Sequence, residues 1–200
     1  MAALCVAMPA WAAQPSVGAV NFVEVWGTRT GDDGRGATLY DRDSIYFKDT
    51  LQTVRDGALH ITLKDNSLLR LGSSATAVID EFIYDPAGNG QMVATVSRGI
   101  ARFVTGKLKG DQVTIRTPTA TIGVRGTDFS VWVEADGRTT VWVNQGSVAV
   151  TPQGGQAQLV NSNETVATSG GTLQRNATRP NPDPGLDDAA PLRRAGRPGN

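Results

Sequence analysis

The chain has 200 residues with nineteen basic and nineteen acidic side chains, one cysteine (Cys5) and one histidine (His60). No net field draws such a protein to nucleic acid or anionic lipid, an internal disulfide is impossible, and a Cys/His zinc site, which needs about four converging ligands, is excluded. Twenty-three glycines, with abundant Thr, Val, Ser and Asn, point to many short strands joined by tight turns.

Ala2 to Met8 is short and apolar, and Pro9-Ala10-Trp11-Ala12 closes it with the small residues a signal peptidase reads. Residues 1–13 are read as a signal peptide whose basic start lies upstream of Met1, so the protein is expected in the periplasm or outside the cell. Cys5 lacks the small-residue pattern of a lipoprotein site, and no later stretch approaches the ~18 apolar residues of a membrane helix. Neither a lipid anchor nor a membrane span is expected.

A β pattern runs from Gly18 to Thr168 and defines a domain over about residues 18–170. Gly27 to Gly36 and Phe82 to Gln91 read as polar loops. His60 falls mid-strand in Ala58-Leu-His60-Ile-Thr62, on the face opposite Leu59, Ile61 and Leu63, where a solvated side chain is expected. Val96-Ser-Arg-Gly99-Ile-Ala101-Arg-Phe103 resembles Val143-Asn-Gln-Gly146-Ser-Val148-Ala-Val150, and Leu63 to Leu71 is a looser version with Asn66 in place of glycine. Gly and Asn both tolerate a left-handed backbone, so each unit is predicted to be strand, tight turn, strand. Stacking of such units gives an all-β fold, a β-solenoid-like stack of short strands and hairpins. A β-sandwich or jelly roll is the alternative.

Thr117 to Val150 is the most informative stretch. Pro118 suits the start of a strand. Ala120, Ile122 and Val124 share one face, with Thr119, Thr121 and Gly123 on the other. Gly126 suits a bulge or corner, after which Phe129, Val131 and Val133 resume the inward face. Ala135-Asp136-Gly137 fits a three-residue hairpin loop with Gly137 left-handed. That loop pairs Val133 with Thr139, Val131 with Val141 and Phe129 with Val143, keeping every apolar residue on one face; a two-residue loop would turn Trp142 into the core. Trp132 and Trp142 then lie on the opposite face, either as a sugar-stacking or partner-docking surface or beneath another layer of chain. Arg125 and Asp128 flank Gly126, either as an ion pair that pins the corner or with Arg125 free to bind carboxylate or phosphate. From about residue 173 to 200 the chain is rich in Pro and Arg and poor in large apolar residues, so a disordered tail is expected.

The run TPTATIGVRGTDFSV (Thr117–Val131), followed by a hairpin and VNQGSVAV, resembles the signature of the FecR domain, and Ala58–Ile79 resembles its first half. The resemblance spans about residues 51–150 and marks Gly123, Gly126, Thr127, Asp128, Gly137 and Gly146 as turn and signature positions. It implies a β-rich periplasmic domain that takes part in envelope signalling through protein or ligand contacts, with no catalytic residues. The proteins that define the family add a cytoplasmic anti-sigma segment and a membrane helix; neither is read here, so no direct sigma-factor contact is expected.

The expected function is therefore a non-enzymatic exported module that binds an envelope protein or small ligand, with no cofactor and no metal. Arg125, Trp132 and Trp142 are the candidate binding residues. The alternative is a carbohydrate-binding or calcium-stabilised adhesion module, using the two tryptophans or the acidic loops at Asp32-Asp33-Gly34 and Asp41–Asp43. An enzyme would have to draw on His60, for which no nucleophile motif lies nearby, or on the carboxylates Asp80, Glu81, Asp128, Glu134 and Asp136, which no cleft brackets.

Overall fold

A computed structural model describes residues 15–87, 89–108, 110–180 and 183–186. The signal peptide expected over 1–13 lies outside the described residues, as do 187–200 of the expected tail. The fold opens with β1 (Ser16–Glu24), β2 (Gly27–Thr30), β3 (Gly36–Thr38), β4 (Ser44–Tyr46) and β5 (Thr50–Thr53). Next come β6 (Ala58–Leu63), β7 (Leu68–Leu71), β8 (Thr76–Tyr84) and the long β9 (Gly90–Val104). A 3-10 turn at Gly110–Gln112 leads to β10 (Val113–Arg116), β11 (Ala120–Val133), β12 (Thr139–Pro152), β13 (Gln158–Asn161), β14 (Thr165–Ser169) and β15 (Thr172–Arg175).

All of these strands are hydrogen-bonded into one large, open, mixed sheet, with no closed barrel. Its main path is β15-β14-β12-β11-β10-β9-β7-β6-β1-β4, and the β9–β10 pairing is parallel. The all-β expectation holds. Both expected polar loops are shorter than the sequence suggested, because β2 and β3 pair across the first and β8 and β9 reach into the second.

Strand alternation supplies the core. Leu59, Ile61 and Leu63 of β6 face inward with Leu69 and Leu71 of β7, Ala101 and Phe103 of β9, and Phe129, Val131 and Val133 of β11. The Phe103 and Phe129 rings lie 6.0 Å apart and tilted by 57°. Each such Val, Leu, Ile or Phe side chain, fully buried, contributes about 1.5–3 kcal/mol.

The β11–β12 hairpin has the register the alternation predicts: Val133 opposite Thr139, Val131 opposite Val141, and Phe129 opposite Val143. Its loop closes through Gly137 N–H to Glu134 O at 3.0 Å, with Gly137 at φ +85°.

The repeat units behave differently from one another. Leu63–Leu71 is a true hairpin, turning at Asn66 (φ +66°) between β6 and β7. Gly99 and Gly146 are not turns. They lie inside β9 and β12 at φ +76° and +84°, where the strand continues and changes partners. Before Gly99, β9 pairs with β8 and β10; after it, with β7 and β11. Gly126 does the same in β11, at a bulge between Arg125 and Asp128. A positive-φ residue closes a turn only when the flanking strands pair with each other; here each flank has other partners to pair with.

Regular structure runs past residue 173, since β15 pairs with β14. A 3-10 turn at Pro184–Leu186 lies against β6 and β7, with Gly185 and Leu186 buried. Among the described residues no helix is long and apolar enough to cross a membrane.

Candidate partner-binding surface

Two surfaces arise on the β11–β12 hairpin. The first is a groove of about 860 Å³ at the Gly126 bulge, lined among others by Thr105, Leu108, Asp111, Arg125, Asp128 and Gln145. The bulge is stitched from beneath by buried Thr127. Its hydroxyl donates to Ser147 O at 2.8 Å, and its N–H donates to Thr105 Oγ1 at 2.8 Å. The Thr105 N–H donates in return to Thr127 O at 3.0 Å.

Asp128 does not pair with Arg125, as the sequence allowed. It takes a bidentate contact from Arg102, at 2.8 Å from Nε and 2.6 Å from Nη2, and a third bond from Asn144 Nδ2 at 3.2 Å. The register explains the exchange. β11 sets Asp128 opposite Val104 and Ser130 opposite Arg102, so Arg102 lies diagonally from Asp128 on the same face. The bulge meanwhile separates Arg125 from that face. Burial alone would push the Asp128 carboxyl up; the Arg102 and Asn144 hydrogen bonds and the charges of Arg102 and Arg70 outweigh it and hold the group below the usual carboxylate range. Arg125 is left exposed at the groove, with no ion pair among the described residues.

The second surface is the outer face of the sheet. Trp132 lies opposite Ile100 and Thr140, and Trp142 lies opposite Ser130. Trp142 is only 4% exposed, because Leu186 packs against it with Ile100, and Trp132 is partly buried beside them. The Arg179 guanidinium sits 5.2 Å from the Trp142 ring centroid. Of the two possibilities open for the indoles, another layer of chain covers Trp142. Nor is His60 solvated: its ring lies 4.9 Å from that of Phe22 and its Nε2 meets the Gly185 carbonyl.

Arg102, Asn144, Asp183 and Leu186 shape these surfaces and were not singled out from the sequence. Arg102 did carry a signal, as a charge set between the apolar residues Ala101 and Phe103. Leu186 carried none, being a lone apolar residue among prolines and acids. The remaining signature residues are structural in placement: Gly123 opposes Ala149, Gly137 closes the hairpin, and Gly146 touches the Gly126 bulge. The acidic loops hold local pairs, Asp33 with Arg35 and Asp32 with Lys48, while Asp43 bonds the Tyr40 N–H. No three metal-ligating side chains converge among the described residues.

Two crystal structures of a proposed anti-sigma factor from Parabacteroides distasonis, at 2.50 and 1.65 Å, share this fold with TM-scores of 0.52 and 0.50. Each is 20% identical and covers 63% of this chain and 58% of its own. The chain thus aligns with a little more than half the length of those proteins, and the likeness is one of fold. No curated protein matches it. The family model described as FecR protein matches residues 49–149, from β5 through the GVRGTD bulge and most of β12. With half of its sequence inside that match, and the bulge at its structural centre, this chain belongs to the FecR family.

Proposed function

We propose that this protein is a non-enzymatic envelope signalling module, exported to the periplasm, which engages a partner protein through the Arg125 groove. The carrying observation is the division of charge at the bulge. Arg102 pairs with Asp128, so Arg125 faces solvent with no ion pair among the described residues. A guanidinium so placed offers forked donors to a carboxylate. Family membership supports the reading, as does the regulatory description of the proteins that share the fold.

The side chains an enzyme would need are otherwise engaged. Asp80 accepts from Thr95 at 2.6 Å and Glu81 from Gln91 at 3.2 Å. Glu134 pairs with Arg138 at 3.3 Å, and Asp136 caps the hairpin loop through the Arg138 N–H at 3.0 Å. These contacts favour a binding module over a catalyst.

The test is cross-linked capture from envelope extract with the wild-type chain beside Arg125→Ala and Arg125→Lys, each first checked by circular dichroism. A partner retained by wild type, lost by Arg125→Ala and weakened by Arg125→Lys is the expected result. Equal capture by all three would remove the groove from the function. Cell fractionation tests the location; recovery in the cytoplasm alone would end the export proposal.

A further inference from the structure

The described residues just after β15 touch the sheet lightly. Asn176, Thr178 and Arg179 are exposed, and between Arg175 and the final turn the Ala177 N–H bond to Thr165 O, at 3.3 Å, is the one recorded backbone contact with the sheet among the described residues. The final turn is held quite differently.

The Asp183 carboxylate accepts from the Ser73 N–H at 2.8 Å and from its own turn, the Gly185 N–H, at 2.9 Å. It fits because Gly72 has no side chain: a Cβ there would stand 2.3 Å from Asp183 Oδ2. The Leu186 carbonyl takes donors from Arg70 Nη1 at 3.0 Å and Arg102 Nη1 at 3.2 Å, while His60 meets the Gly185 carbonyl. The Leu186 side chain fills the space between Ile100 and Trp142. One carboxylate, two main-chain carbonyls and one aliphatic side chain are each read by a separate feature of the sheet. Recognition of a short peptide has this form.

The fit is incomplete. A cavity of about 330 Å³ remains between turn and sheet, lined by Arg102, Ser130, Trp142, Asn144, Arg179 and Asp183 among others. At its wall the Trp142 Nε1–H is buried with no acceptor among the described residues. A buried donor without an acceptor is costly and is rarely left so, and the site's own occupant does not supply one.

We propose that this outer face is a peptide-binding site for a partner-protein segment that presents a carboxylate followed two residues later by glycine and an aliphatic side chain, and that the Asp183–Leu186 turn occupies it in cis until that segment displaces it. A tethered occupant needs little intrinsic affinity, because the tether keeps it at high effective concentration. Of the described residues that lead to it, Asn176, Thr178 and Arg179 gain little burial to offset their ordering entropy. A partner segment that also fills the cavity and accepts from Trp142 has the advantage the cis turn lacks. The site uses residues other than Arg125, so it stands or falls separately from the groove.

The test uses a fluorescein-labelled peptide of residues 180–190, titrated by anisotropy into the full wild-type chain and into an Asp183→Ala/Leu186→Ala double variant. Both changes lie outside the sheet, and circular dichroism should show the β signature intact. With its internal competitor weakened, the double variant should bind the peptide about tenfold more tightly than wild type. Leu186→Met, which keeps the apolar fill, should behave as wild type, and a peptide carrying the two alanines should not bind. Equal binding by wild type and double variant would overturn the proposal, as would no binding by either above a scrambled peptide. A wild-type dimer that the double variant loses would seat the turn on a second copy and overturn the cis assignment.

Discussion

The β11–β12 hairpin carries two outward surfaces whose fates differ. At the Gly126 bulge no ion pair reaches Arg125 among the described residues, and the groove is open. Farther along the same hairpin, the outward Trp142 is sealed by Leu186 and faced by Arg179. Period-two alternation predicts which way a side chain leaves its sheet. It does not predict what crosses that face afterwards. The two surfaces therefore respond differently to substitution, and five changes measure the difference.

Trp142→Ala should have the largest effect, about 3–5 kcal/mol for emptying a buried aromatic site, read as a lower urea midpoint. A loss under about 1 kcal/mol would show that the tail does not seal this face.

Gly146→Ala comes next. A left-handed backbone costs an alanine about 1–2 kcal/mol, and its Cβ would also stand 2.5 Å from Gly126 O. Gly126→Ala shares the backbone cost at φ +62° but meets nothing within 4 Å. The Gly146 variant should therefore be the less stable of the two in urea; the reverse order would place the crowding elsewhere.

Asp128→Asn should cost about 1.5–3 kcal/mol, the range for hydrogen bonds to charged groups, and should alter acid sensitivity. The folded carboxyl is held below its unfolded value, so the folded state binds fewer protons through the acidic range. The stabilisation is complete above the unfolded value of about 3.9 and is lost as pH falls through the lowered folded value. Urea melts between about pH 6 and pH 2.5 should lose this part of their slope in the variant. Arg125→Ala should change stability least, by no more than about 0.5 kcal/mol in the same melts. A larger loss would make Arg125 part of the scaffold.

The hairpin register and the Gly126 corner were legible because alternation on two adjacent strands and the Asp136-Gly137 turn all point to one pairing. The repeat was half legible. A positive-φ glycine was foreseen at Gly99 and Gly146, but a left-handed residue serves a turn and a mid-strand bulge equally. The choice depends on strands contributed from elsewhere in the chain. The true Asp128 partner was out of reach for a similar reason: Arg125 is near in sequence, whereas Arg102 is near only once β9 and β11 pair. The docking of Leu186 was least legible, since a single apolar residue among prolines has no periodicity to announce its destination.

The three glycines have a consequence for how this sheet finds its pairing. β9, β11 and β12 each run unbroken through one residue whose backbone only glycine adopts readily, and each exchanges at least one neighbour there. A strand that slips by one position normally needs only to turn its side chains over. Here a slip would also carry a residue with a Cβ into the left-handed position, and because the strand is continuous it would shift both halves together. Each glycine acts as an index mark that both sets of neighbours must honour. For a fold built from pairings distant in sequence, whose search is intrinsically slow, such marks narrow many near-equivalent alignments to one.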